Sequence, residues 1–194
     1  TIHYQTLYFD LLKNLNLKIE SKKNIFSLDK KYKKLFQDFC LVHAKSPYML
    51  FHFDERWETF IQKDYDNVLE LLKKTSIKNN VIITTGMKNF SFLKQLQIKF
   101  RTFEFQNNLF INLNKEKEKE KNNVIILKKM PLNLLAYFIK NSEKNYSAHS
   151  GPVVHISAAF NKEFVDIIKK DKNYELDRWI PSVSRYSRIN FENL

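Results

Sequence analysis

One stretch of this 194-residue chain concentrates residues whose types and spacing could do chemistry: Ser147-Ala148-His149-Ser150-Gly151-Pro152-Val153-Val154-His155-Ile156-Ser157-Ala158-Ala159-Phe160. Where a strand exit turns into a helix, the first N–H groups have no partner inside the helix and attract phosphate. Ser150 suits the cap position and carries a hydroxyl to donate. Gly151 lets a phosphate reach the backbone with no Cβ in the way, and Pro152 fits a first turn that needs no N–H from it. His155 falls one turn in, close enough to the amino end to face a bound phosphate or sugar. The small run Ser157-Ala158-Ala159 lets the helix lie close on the layer beneath. Many plain helices also begin Ser-Gly-Pro, so the elements around the segment carry weight.

Those elements alternate. Leu7, Leu11, Leu12 and Leu15 stand at helical spacing within residues 2–17, and Asp29 caps a second helix through Tyr32, Leu35, Phe36 and Phe39. Tyr48 to Phe53 is an aromatic, apolar run that fits a buried strand, and Asp64 caps a helix carrying Val68, Leu69, Leu71 and Leu72. Val81-Ile82-Ile83 is the next strand. It ends at Thr84-Thr85-Gly86, a strand exit that holds one of only two glycines in the chain. Phe90 to Leu96 reads as a helix, Arg101 to Phe105 as a strand, and Leu109 to Leu113 as a short extended segment. The alternating Lys115-to-Lys121 run reads as a solvated loop or protrusion. Val124 to Leu127 is a strand, Pro131 opens a helix over Leu132 to Ile139, Tyr146 to His149 is a strand, and Phe164 to Ile168 is the last clear one. Strands alternating with helices imply an α/β fold: a Rossmann-like parallel sheet with helices on both faces.

Composition narrows the partners without choosing one. Hydrophobic residues make up 43% of the chain, enough for a core, and the net charge of +12 favours anionic partners: nucleotide phosphates, nucleic acid or an acidic membrane face. No uninterrupted Lys/Arg stripe marks a nucleic-acid surface. The single Cys40 excludes an internal disulfide and a cysteine zinc site and suits a reducing compartment, which places the protein in the cytoplasm. No apolar run approaches the roughly 20 residues that span a bilayer.

Three pieces in order, Pro131-Leu132-Asn133-Leu134-Leu135-Ala136-Tyr137-Phe138-Ile139, then His149-Ser150-Gly151-Pro152-Val153-Val154-His155-Ile156-Ser157-Ala158-Ala159, then Arg178-Trp179-Ile180-Pro181, make the chain resemble the carboxyl-terminal domain of the heptosyltransferase family, glycosyltransferase family 9. Met49 to Phe53 followed by Asp54-Glu55-Arg56-Trp57 looks like that family's first donor-domain strand and its exit loop. Val81 to Gly86 resembles the next strand and turn, where the nucleotide end of the donor passes. The resemblance covers roughly Tyr48 to Pro181.

It implies one half of a GT-B fold: residues 1–46 a helical linker to an amino-terminal domain that this chain lacks, and residues 47–194 a Rossmann-like nucleotide-sugar-binding domain. The implied activity is transfer of a sugar from a nucleoside diphosphate-sugar to a lipopolysaccharide or other glycan or lipid-linked acceptor. The implied donor-binding residues are Arg56, Gly86, His149, Ser150, Gly151 and His155. Ser150 and Gly151 would hold the diphosphate, and Arg56 would offer a planar fork to a phosphate oxygen as charge builds on the leaving group. Amides and basic side chains can meet that charge, so neither a metal nor a cofactor is implied, the nucleotide-sugar being substrate. The positive charge would suit peripheral contact with the inner face of the membrane. His149 stands where the family carries an acidic residue, and the Lys/Glu run lengthens a connection that is short in the family. Asp54 and Glu55 are adjacent acids that as readily cap or pair with an Arg, so no catalytic base is assigned. Two other functions remain open: a non-catalytic, degenerate nucleotide-sugar-binding module, and a basic nucleic-acid-binding protein.

Overall fold

A computed structural model of the chain describes residues 11, 13–15, 26–44, 47–53, 65–86, 91–115, 123–148, 150–168, 180–181, 185–190 and 193. Its elements are α1 (Lys31–His43), β1 (Tyr48–Phe53), α2 (Tyr65–Lys78), β2 (Asn80–Thr85), α3 (Ser91–Lys99), β3 (Arg101–Gln106), β4 (Leu109–Asn112), β5 (Val124–Lys128), α4 (Leu132–Asn141), β6 (Lys144–Ser147), α5 (Gly151–Ala159), β7 (Glu163–Ile168) and β8 (Arg185–Asn190). The eight strands form one sheet in the order β4-β3-β5-β2-β1-β6-β7-β8.

Parallel neighbours need a crossover, and helices supply it, which buries the inner strands on both sides. Leu50, Ile82 and Ile125 pack on one face with Phe36 and Phe39 of α1, Leu134 to Ile139 of α4, and Val153, Val154 and Ile156 of α5. Phe51, Val81, Ile83 and Ile126 turn to the other face, against Val68, Leu69 and Leu72 of α2 and Phe92, Leu93 and Leu96 of α3. The near-continuous apolar runs of β1, β2 and β5 are therefore what a sheet covered on both faces requires. The fold is Rossmann-like α/β, as the alternation implied.

The cap position of α1 falls on Lys30, one residue after the expected Asp29, and carries no side-chain cap; the Asp29 Oδ1 accepts the Lys31 N–H at 3.1 Å just ahead of the helix. The helix is pinned by its aromatics, Phe39 meeting Phe103 and Phe110 edge-on or tilted and Phe36 meeting Phe138. Below it, the Tyr48 hydroxyl donates to the Phe138 carbonyl at 2.7 Å, which ties the start of β1 to α4. Of the helix expected over residues 2–17, only residues 11 and 13–15 are described, with the Leu15 N–H on the Leu11 carbonyl. The expected cap Asp64 and all of the Lys/Glu run beyond Lys115 lie outside the described residues. No helix among the described residues is long and apolar enough to cross a membrane.

Three features depart from the expectation. The sheet is mixed, because β3 turns back antiparallel into β4. Asn107 and Asn108 hold that turn at φ 48° and 61°, and asparagine tolerates the left-handed region that a two-residue hairpin demands. The strand expected over Tyr146 to His149 runs instead over Lys144–Ser147, two residues earlier, its buried Asn145 and Ser147 having hidden the strand pattern. And β7 is not the last strand. β8 follows it in parallel at the sheet's edge, where half-exposed residues give a polar pattern.

Candidate functional site

β1 lies between β2 and β6. From β1 the chain passes to β2, goes on to the β3–β4 hairpin at the edge and returns to β5 between β2 and β3, and the crossover through α4 then carries it to the opposite side of β1 at β6. Such a reversal leaves a crevice at the carboxyl ends of the two strands, here β1 and β6, where ligands of open α/β sheets sit. α5 starts at that crevice.

The start of α5 is built from backbone geometry. Ser150, buried, sits at the cap position with φ −67° and ψ 111°, and its carbonyl accepts the Val154 N–H at 3.0 Å. Its own N–H donates to the Ser147 hydroxyl at 3.0 Å. Its hydroxyl makes no capping bond, so the side-chain cap expected of Ser150 is absent and only its position is as foreseen. Pro152 has no N–H to give. The amides of the first turn that face outward are therefore those of Gly151 and Val153, with no acidic side chain in that turn to oppose an anion. A Cβ added to Gly151 would meet no atom within 4 Å, so a side chain there would stand in open space.

Behind the crevice runs a row of polar side chains. Thr84, His52, Ser147, Asp166 and Arg188 are register neighbours across β2, β1, β6, β7 and β8. They share the face of α4 and α5, since Leu50, Phe164 and Tyr186, two residues before His52, Asp166 and Arg188, all belong to that cluster. His52 Nδ1 and the Thr84 hydroxyl lie 2.9 Å apart, both side chains buried. Farther along, the Tyr186 hydroxyl donates to Asp166 at 2.9 Å and accepts from Arg188 Nε at 3.1 Å. Burial raises the Tyr186 phenol well above its ordinary pKa, and the neighbouring Asp166 carboxylate adds to this. A buried polar row in an apolar sheet is informative, because such groups persist only when satisfied. The sequence reading passed over it. The signal was there, a histidine one residue from the end of a buried strand and an aspartate in the middle of another.

Gly86 follows β2 at the same edge, two strands from β6 and so about 10 Å from it by strand spacing. Its Cβ position is open too. The adjoining Thr85 carbonyl accepts the Met130 N–H at 3.2 Å, which fixes the β5–α4 connection against the β2 exit. That connection brings Lys128 and Lys129 to Glu104, at 3.6 and 2.9 Å, and Gln106 also donates to this carboxylate. The hydrogen bonds from Lys129 and Gln106 hold the Glu104 carboxyl below its usual range. The two lysines are thus engaged by a carboxylate.

His155 is on α5 but exposed, on the side of the helix turned from the core. The structure brings Ser150, Gly151 and His155 onto one helix at the crevice and sets Gly86 across it. Arg56 and His149 lie outside the described residues, as do Asp54, Glu55, Arg178 and Trp179.

Among solved structures the chain is similar to a glycosyl transferase of family 9 from Veillonella parvula, with a TM-score of 0.64, 13% identity, and coverage of 98% of this chain and 49% of that one. It is also similar to the ADP-heptose lipopolysaccharide heptosyltransferase II of Escherichia coli, with a TM-score of 0.52, 13% identity, and coverage of 85% and 44%. The UDP-GlcNAc 2-epimerase of Methanocaldococcus jannaschii, solved with UDP-GlcNAc and UDP, matches with a TM-score of 0.51, 13% identity, and coverage of 85% and 40%. The chain spans about half or less of the length of these proteins. No protein-family model and no curated protein matches the sequence. The likeness is one of fold, shared with glycosyltransferases of the GT-B kind and with an epimerase.

Proposed function

We propose that the chain is the donor-binding half of a glycosyltransferase, corresponding to the carboxyl-terminal domain of the heptosyltransferase-like enzymes, and that it holds the diphosphate of a nucleotide-sugar at the start of α5. The observation that carries this reading is the pair of outward amides, Gly151 and Val153, at an unacidic helix start beside the β1–β6 crevice. Two such donors and the helix dipole suit the two negative groups of a diphosphate. His155, exposed on the same helix, would contact phosphate or sugar, and Gly86, after β2, would line the far side of the crevice along which the nucleoside would run.

In transfer, the bond between the anomeric carbon and the diphosphate oxygen breaks while an acceptor hydroxyl attacks that carbon. This half would stabilise the departing diphosphate. Arg56, which follows β1 in the sequence, would neutralise part of its charge, and His149 would stand beside it where the family has a carboxylate. The acceptor, a glycan or lipid-linked molecule, and the group that takes its proton would belong to a partner domain. Fold alone does not choose between transfer and epimerisation, since both chemistries occur on it. The order of the Leu-rich helix, the Ser-Gly-x-x-x-His segment and the Trp-x-Pro element favours transfer.

Calorimetric titration with ADP and UDP tests the reading, together with Gly151→Val. The open Cβ position admits the variant's branched side chain without a clash, while that side chain would crowd a phosphate approaching the turn. Affinity should drop by more than about tenfold. Unchanged affinity would remove the site from α5.

A further inference from the structure

The two edges of the sheet differ in kind. An edge strand exposes unpaired N–H and C=O groups, and natural proteins guard it with charges, prolines or bulges. β8 carries Arg185 and Arg188. β4, with the sequence Leu109-Phe110-Ile111-Asn112, has no charge and no proline.

Its side chains are unguarded as well. Phe110 turns toward the core cluster of α1 and α4, so Leu109 and Ile111 face the α3 side of the sheet. No helix among the described residues covers them there, and Leu109, Ile111 and the following Leu113 are 64%, 43% and 49% exposed. Ile98 at the end of α3, 71% exposed, borders the same strip. Between α3 and the hairpin lies a groove of about 330 Å³ lined by Lys94, Gln97, Ile98, Thr102, Leu113 and Asn114.

The ladder to β3 fixes which backbone groups point outward. The Leu113 N–H bonds to the Thr102 carbonyl at 2.9 Å, and Glu104 pairs with Ile111 and Gln106 with Leu109. Hydrogen-bonded pairs alternate along an antiparallel ladder, so residues 109, 111 and 113 spend their backbone groups on β3 and residues 110 and 112 direct theirs out from the sheet.

We infer that β4 pairs with β4 of a second copy of this chain, antiparallel and centred on Ile111. What identifies the occupant is self-complementarity. A two-fold axis through Ile111 sets Ile111 opposite Ile111 and Leu109 opposite Leu113, while the outward groups of Phe110 meet those of Asn112. In this register Lys115 lies opposite Asn107, and no two like charges along the pairing face each other. Six aliphatic side chains then form one ladder on the α3 side, and each Leu109 lies beside Leu113 at the mouth of the other copy's groove. Four residues of strand alone bury too little surface for a stable dimer, so the groove and Ile98 belong to the interface.

Ile111 becomes a non-hydrogen-bonded pair with its symmetry mate, with Cα atoms about 4.5 Å apart, within disulfide reach. The test uses the 194-residue chain and two variants, Ile111→Cys and Leu109→Cys. By light scattering the chain should have twice its mass of 23.4 kDa at concentrations up to roughly 100 μM. Under mild oxidation Ile111→Cys should cross-link to a dimer, and Leu109→Cys should not, since its partner position is Leu113. Cys40 does not confuse the readout, being half-buried with its thiol raised to about 12. Ile111→Lys should leave a folded monomer, its new charge lying opposite Glu104 on β3. A monomeric parent chain, cross-linking by Leu109→Cys without Ile111→Cys, or a dimer that survives Ile111→Lys would each overturn the inference.

Discussion

Ser147→Ala probes the joint on which the candidate site rests. The Ser147 hydroxyl accepts the Ser150 N–H at 3.0 Å, both residues are buried, and that N–H is the last one before the outward amides of α5. Alanine leaves a buried donor without its acceptor and adds no bulk. The expected loss is the desolvation of one amide, about 1–2 kcal/mol, rather than the smaller net value of an exposed hydrogen bond. For a chain of this size that corresponds to a fall in Tm of roughly 3–6 °C. The effect should also be local: the start of α5 loosens, so hydrogen exchange should quicken at Ser150, Gly151 and Val153 and change little in β1 and β2. Nucleotide affinity should fall with it, since a loosened turn no longer holds its two amides toward one ligand. Thermal denaturation and exchange measured together give the answer. A variant as stable as the parent, with unchanged exchange at these amides, would refute the reasoning.

Glu104→Gln should destabilise the chain at neutral pH on the order of 1–2 kcal/mol, a figure limited by the partial exposure of Lys129. Because the folded state lowers this carboxyl's pKa, its contribution is present above the ordinary glutamate range and is lost as pH falls through the folded value, so the gap between variant and parent should close below about pH 4 in thermal melts. Tyr186→Phe removes both the donor to Asp166 and the acceptor of Arg188, and should cost about 2 kcal/mol in chemical denaturation. Tyr48→Phe should cost less, about 1 kcal/mol, because one hydroxyl bond is lost rather than two and the Phe138 carbonyl still accepts the Ser142 N–H; equal losses for the two tyrosines would contradict this difference.

What could be read from the sequence follows how each residue is solvated. β1 was legible to the residue because five of its six side chains are aromatic or apolar and both faces are covered. β8 was not, because an edge strand half in water shows Arg-Tyr-Ser-Arg-Ile-Asn with no apolar alternation. β6 slipped by two residues because Asn145 and Ser147 are polar yet buried, a property set by neighbours three strands wide that no local window contains. The helix start at Ser150-Gly151-Pro152 was legible from local chemistry, and its position at a strand exit followed from alternation; that this exit borders β1 required the strand order. The route of the Ser150 amide into Ser147 was not, nor the absence of a side-chain cap, since both depend on backbone angles at one turn. The row from Thr84 to Arg188 required the register of five strands. Two residues far apart in the sequence, His52 and Arg188, share it only because the crossover through α4 reverses the strand order.

The central claim is that the amides of Gly151 and Val153 hold a diphosphate, and the most direct measurement observes those two N–H groups. In a ¹⁵N-resolved nuclear magnetic resonance titration with ADP or UDP, their signals should move downfield together and saturate with the same affinity, the Ser150 signal moving less because its N–H stays on Ser147. Saturable nucleotide binding that shifts residues elsewhere and leaves Gly151 and Val153 in place would contradict the account, as would the absence of any binding.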